Sequence, residues 1–395
     1  MITRRHFLGA GVAAAVSAAL PLGRTFADAA ATRALVDWHS HYVSKAEIKF
    51  LSARKQAPRV IVDAAGATRL ENVLTVSAAP GEPSEFSPSD IEARIANLDK
   101  HGIQRQLLTQ TVALGLDATL SVDEQRRLYR EFNDELAEVV AKHRSRFFGV
   151  AALPSADPKW AAQELDRAHR ELGLIGGSLP LNAFATLEGA RTLAPLFAVA
   201  QKHRSHIFIH RGPANDRVPG QPPLVVPTDT AYARWSLISN THLAAGAITL
   251  GLTDFLDDYP DVSVQIIMLG GFLPHLIHSI VPAARANGVR DPIAKLRRLY
   301  LDPGPYSVRN APWVKVTAEQ LGADRILFGT DYGVGGGKRG DVGPALDTLD
   351  SILSASERLQ RKGGHSARGI HSPDVRGKLA PVDQGVRPAL AVTSG

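Results

Sequence analysis

Eight short apolar, β-rich runs recur along the chain, and stretches with helical spacing of apolar positions separate them; no other feature limits the possible folds as much. The runs cover residues 34–38, 104–109, 147–153, 174–179, 206–209, 264–268, 299–301 and 326–329. Helical stretches are read over 88–101, 122–143, 158–172, 187–203, 232–259 and 271–286, with Asp157 as N-cap of the third. Strands that alternate with helices imply a parallel sheet, because each crossover returns the chain through a helix. Eight such units favour a closed (β/α)8 TIM barrel. The competing doubly wound sheet wants glycines for a phosphate loop after its first strand, and here the first run leads instead into His39-Ser40-His41.

A chain of 395 residues with a hydrophobic share of 44% is long enough for one such barrel with insertions. Three segments fall outside a minimal barrel. Residues 1–29 read as a twin-arginine signal: Arg4 and Arg5 precede an apolar run too short to span a membrane, and Ala27-Asp28-Ala29 supplies small residues for cleavage. The expected location is therefore periplasmic or extracellular. Residues 42–86 form an insertion after the first strand, with apolar runs at 60–62 and 73–76 that suit a small subdomain over the site. Residues 361–395, rich in Gly, Pro, Arg and Ser without period, read as an irregular tail, leaving 30–360 as the barrel domain.

The formal charge of +6 belongs to the ends. Arg4, Arg5 and Arg24 face only Asp28 in the leader, and seven Lys/Arg face only Asp374 and Asp383 after residue 357, so the body carries about one net negative charge. A nucleic-acid binder would carry its basic excess on the folded domain, so no nucleic-acid partner is expected. No membrane span is expected once the signal is removed, and a homodimer is the assembly considered. With no cysteine in the chain, disulfides, thiolate metal sites and cysteine nucleophiles are excluded, and metal chemistry must use histidine and carboxylate.

Side chains at the C-terminal ends of barrel strands converge on one site. His39 and His41, two apart on an extended segment, point to the same face. His210 ends the fifth run and Asp331 follows the eighth. Each has an ordinary explanation alone: buried histidines often bond backbone carbonyls, and Asp331 suits a helix N-cap. Together they make three imidazoles and a carboxylate, a donor set for one divalent ion, Zn²⁺ or a similar cation such as Mn²⁺. Arg211, next to His210, is a candidate to pair with a substrate carboxylate. The glycine-rich segment 333–340 with Lys338 does not match a phosphate loop and reads as a flexible loop beside Asp331.

These motifs resemble the amidohydrolase superfamily, in the branch that includes aminocarboxymuconate semialdehyde decarboxylase. Val36-Asp37-Trp38-His39-Ser40-His41-Tyr42 is similar to its D-x-H-x-H opening, Leu172-Gly173-Leu174-Ile175-Gly176-Gly177 to its E-L-G-x-x-G signature, and Leu327-Phe328-Gly329-Thr330-Asp331-Tyr332 to its L-F-G-[ST]-D-[YFW] ending. Phe147 to Pro154 and Ile209-His210 also resemble family stretches, and the match runs from about residue 35 to 358. The resemblance implies one metal, usually zinc, on His39, His41, His210 and Asp331. It further implies a non-oxidative decarboxylase or hydrolase acting on a small aromatic or unsaturated carboxylic acid, with Asp331 as ligand and proton acceptor.

Two departures stand out. Where the family pattern H-x-G-G-x-x-P has histidine after the sixth strand, this chain has Met268, ahead of Gly270-Gly271 and Pro274. A thioether cannot transfer a proton, so a catalytically impaired metal-binding relative is the alternative reading. His275 and His278, which share a helix face, read as surface or core-lining residues. The family's final N-A-x-x-L-like helix is not found after Leu353, which is consistent with a lost last helix or an altered reading frame.

Overall fold

The computed structural model describes residues 35–71, 84–222, 229–304 and 311–333, together with Val342 and Leu346. The expected leader 1–29, the tail 361–395, the apolar run 73–76 and the glycine-rich segment beyond residue 333 lie outside the described residues.

The barrel strands, all parallel, are Leu35–Asp37, Ile103–Leu108, Phe147–Gly149 with its continuation Ala151–Ala152, Gly176–Pro180, His206–His210, Ser263–Ile266 and Leu299–Leu301. Each pairs with its neighbour in chain order. The wall closes through residues 326–332. Leu327 N donates to Leu301 O at 2.8 Å on one side, and Trp38 N donates to Phe328 O at 2.8 Å on the other.

This closing segment corrects the expected eighth strand: it makes isolated bridges, Ile326 to Leu301 and Tyr332 to Ser40, with no ladder. Just beyond the run the backbone also changes direction. Asp331 has φ 59° and Gly333 φ 98°, both left-handed, so the chain turns instead of extending. The amides of Thr330 and Asp331 both turn to His39 O, at 3.2 and 2.7 Å.

Strands buried on both faces should be apolar throughout rather than alternating. Ile207, Phe208, Ile209, Val264, Ile266, Leu299 and Leu301 are accordingly all buried, each contributing about 1.5–3 kcal/mol. Gly176 shows why its motif holds glycine: a Cβ there would overlap the carbonyl oxygen of His206 on the next strand.

The helices follow their stop and start signals. Ser121 and Glu124 form a capping box on Val122–Lys142, and Asp157 accepts from Trp160 N at the head of Pro158–Arg170. The stretch 187–203, expected as one helix, is two, Leu187–Thr192 and Ala194–His203, because Pro195 suits a first turn and not an interior. The stretch 232–259 ends as a helix at Leu252, and a 3-10 turn Phe255–Asp258 follows. Helix Leu273–Ala286 starts later than 271, since Gly271 is held at φ 62°.

The insertion begins with helix Lys45–Ser52 and continues into an antiparallel sheet of Arg59–Val62, Thr68–Glu71 and Ser84–Glu85. Glu135 on Val122–Lys142 receives the amides of Lys45 and Ala46, which ties the insertion to the barrel's helical layer. Among the described residues no helix is long and apolar enough to cross a membrane.

Candidate metal centre

His39 and His41 leave the end of the first strand, His210 ends the fifth, and Asp331 sits on the closing segment. One ligand atom from each lies within 4.8 Å of the others. All three histidines are buried. The His39 and His210 ring centroids are 5.3 Å apart, and those of His41 and His210 4.8 Å, in each case edge to face. Asp331 Oδ1 lies 2.8 Å from His41 Nε2 and 3.2 Å from His39 Nε2.

The outer ring nitrogens are all engaged, which orients the inner ones. His39 Nδ1 meets Asp302 Oδ1 at 2.7 Å, His41 Nδ1 faces Gln110 O at 3.3 Å and Thr109 Oγ1 at 3.2 Å, and His210 Nδ1 meets Arg211 O at 2.9 Å. With each Nδ1 engaged outward, the three Nε2 atoms face one another, the arrangement that histidine ligands need. His39 Nε2, fully buried, has no hydrogen-bond partner. An unsatisfied ring nitrogen beside two more imidazoles and a carboxylate oxygen fits a divalent cation.

The charges in the metal-free protein point the same way. Burial disfavours the His39 imidazolium, but Asp302 and then Asp331 outweigh it and push the ring up to about 10. Burial holds His41 below its ordinary value despite its contact with Asp331. It also holds His210 well below, helped by repulsion from His41 and His39. For Asp331 burial works upward, yet its contacts with His39 and His41 win and keep it well below the carboxylate range. The metal-free site thus holds one extra proton, on His39, and a cation would take that proton's place.

Asp302 is a residue that the sequence reading missed. It is fully buried, and its second oxygen accepts from Gln265 Nε2 at 2.7 Å. Its one signal is position: it directly follows the strand Leu299–Leu301, at the same end of the barrel as the other site residues.

Arg211 lies half-buried next to His210 with its guanidinium 5.8 Å from the Trp235 ring, and among the described residues it has no ion pair. Met268 is buried on the turn after the sixth strand with φ 54°, and the next amide, Leu269 N, donates to Asp302 O at 2.8 Å. His275 packs its ring on Trp313, and His278 Nε2 lies 3.4 Å from the Gln320 amide nitrogen, so neither joins the cluster.

A closed parallel barrel that gathers three imidazoles and a carboxylate at one end of its strands defines a barrel protein built to hold a single divalent cation. The chain belongs to the amidohydrolase family, whose model, described as "Amidohydrolase", matches residues 36–349. It is 28% identical over 266 residues to gamma-resorcylate decarboxylase of Rhodococcus jostii (strain RHA1), covering 61% of this chain and 76% of that protein. It is 27% identical over 255 residues to 2-amino-3-carboxymuconate-6-semialdehyde decarboxylase of Dictyostelium discoideum, covering 62% and 66%. Among solved structures, the fold is shared with dihydroxybenzoic acid decarboxylase from Polaromonas sp. JS666, with bound manganese and 2-nitroresorcinol, at TM-score 0.60 and 19% identity over 89% of this chain and 96% of that one. It is shared also with 5-carboxyvanillate decarboxylase from Sphingomonas paucimobilis, at TM-score 0.58 and 17% identity over 88% and 96%.

Proposed function

We propose that this chain is a metal-dependent, non-oxidative decarboxylase of a small aromatic carboxylic acid. The observation that carries the reading is the cluster of three inward Nε2 atoms and the Asp331 carboxylate. The relatives named above, decarboxylases of carboxylated aromatic or unsaturated acids, support the choice of reaction over hydrolysis. The donor set suits zinc, and manganese, bound in the Polaromonas structure, is the alternative.

When bound, the cation supplies a Lewis-acidic point for the adjacent oxygens of the substrate. The reaction exchanges a carbon–carboxylate bond for a carbon–hydrogen bond: one proton enters, one CO₂ leaves, and no electron acceptor is needed. Asp331 is ionised before substrate arrives, and both its histidine contacts fall on Oδ1. Its Oδ2 takes a proton from the incoming acid and delivers it to the ring carbon. Arg211, without an ion pair among the described residues, pairs with the substrate's negative charge. The nearly neutral body supports a small-molecule partner and no nucleic acid, and the assembly expected from size-exclusion chromatography is a homodimer.

CO₂ release from 2,6-dihydroxybenzoate and related hydroxybenzoic acids, measured with bound metal by elemental analysis, tests this reading. Metal without turnover on acids, lactones or amides would replace it with a catalytically silent relative, the reading that Met268 favours. If Met268 marks an impaired proton path, Met268→His is expected to raise turnover about 10²-fold or more, the usual contribution of a positioned acid–base group. Histidine accepts the left-handed backbone at 268 more readily than methionine does. Unchanged rates of both CO₂ release and hydrolysis would remove the impaired reading.

Export by the twin-arginine route, to the periplasm or beyond, is part of the same proposal. Arg4-Arg5, the apolar run after them and Ala27-Asp28-Ala29 support it. The exported protein is expected to begin at residue 30 by N-terminal sequencing; an uncut chain retained in the cytoplasm would refute it.

A further inference from the structure

The guanidinium of Arg94 is 1% exposed on helix Ile91–Lys100, yet no carboxylate among the described residues lies within ion-pair distance of it. Its partners are neutral. Nη1 donates to Gln106 Oε1 at 2.9 Å and to Ser40 Oγ at 3.2 Å, Nη2 donates to His41 O, and the group lies 4.7 Å from the centroid of the Tyr332 ring. A buried cation held this way is costly, and hydrocarbon of similar size would serve stability better.

The missing counter-charge is one amide away. Gln106, accepting from Arg94, donates through Nε2 to Asp37 Oδ2 at 2.7 Å. Asp37, also fully buried, accepts from His39 N and Thr330 N on Oδ1, each at 3.1 Å, and from Thr330 Oγ1 on Oδ2 at 2.6 Å. The unit therefore grips the segment carrying His39 and His41 at three places (His39 N, Ser40 Oγ, His41 O) and the segment carrying Asp331 at the residues on either side of it. This is the seam where the barrel wall has bridges but no ladder.

We propose that Arg94, Gln106 and Asp37 form an amide-bridged ion pair that positions His39, His41 and Asp331 for their cation. These are positioning residues, and the assignment rests on the metal reading above. Each of Arg94→Met, Gln106→Leu and Asp37→Asn is expected to weaken ion binding about 10–100-fold, the usual effect of losing a group that orients a ligand. Arg94→Met and Asp37→Asn each leave a buried charge without compensation, so each also lowers the melting temperature of the metal-free protein.

The double variant Arg94→Met/Asp37→Asn separates positioning from stability. Neither charge remains, and the Gln106 amide is free to turn its carbonyl to the new amide, so the metal-free melting temperature returns towards wild type. Ion affinity stays at least tenfold down, because His41 O and Tyr332 have lost their clasp. The measurement is competition of Zn²⁺ and Mn²⁺ against a fluorescent chelator, beside thermal melts without metal. Wild-type affinity in both the double variant and Gln106→Leu would overturn the assignment alone, even if the single charge variants fail to fold. A wild-type protein that binds neither ion would overturn the metal reading, and this assignment with it.

Discussion

An Asp331→Asn protein is expected to lose about 10²–10⁴-fold in the rate of CO₂ release while keeping its fold. The loss follows from chemistry: an amide cannot take a proton from the substrate and return it to carbon, and a neutral oxygen is a weaker ligand than a carboxylate. The fold survives because Asp331 sits at φ 59°, a conformation that asparagine adopts at least as readily as aspartate. His39 keeps Asp302 at 2.7 Å, so its ring stays oriented. Turnover under saturating substrate, with metal content measured on the same sample, separates lost ligation from lost proton transfer. A full metal complement with activity within tenfold of wild type would remove Asp331 from the proton path.

Affinity for the divalent ion is expected to rise about tenfold per pH unit between pH 7 and pH 9, about 100-fold across the window. The sign follows from His39. Its ring in the metal-free protein is held up to about 10 by Asp302 and Asp331, so at pH 7 it carries a proton that the ion must displace. Raising the pH removes that competitor, and the gain levels off above about 10. His41 and His210 lie below their ordinary value, are neutral in this window, and add no further proton. Calorimetric titration with Mn²⁺ in two buffers of different ionisation enthalpy should show about one proton released per ion at pH 7.5. Release of none would mean that His39 is neutral before the ion arrives.

The parts of the site that were legible in the sequence are those whose position follows from local periodicity. His39 and His41 share a face because they are two apart on extended chain, and His210 and Asp331 stand out because apolar runs stop at them. Asp302 and Arg94 were not legible, for different reasons. Asp302 is one of 39 acidic residues, and only its contact with His39 Nδ1, across the closing segment, singles it out. Arg94 reads as a solvated charge on an amphipathic helix; its burial depends on the backbone of His41 and the ring of Tyr332, contributed by distant segments. The eighth strand was misread for a physical reason too. The apolar run at 326–329 has strand composition and is bonded on both sides, but it forms only an isolated bridge, and the left-handed turns at 331 and 333 stop the chain from extending further, which composition does not encode.

The ladderless seam has a consequence for how such a molecule matures. Three of the four proposed ligand residues flank the joint where, among the described residues, Ser40 and Tyr332 make a bridge and no ladder, so a captured cation would rivet the two lips together as well as serve chemistry. An ion that binds only the closed form adds RT ln(1 + [ion]/Kd) to stability, about 2.7 kcal/mol at a hundredfold excess over Kd. Loading and sealing of the cylinder are then one event, and under the export proposed above the chain would profit from acquiring its ion before departure.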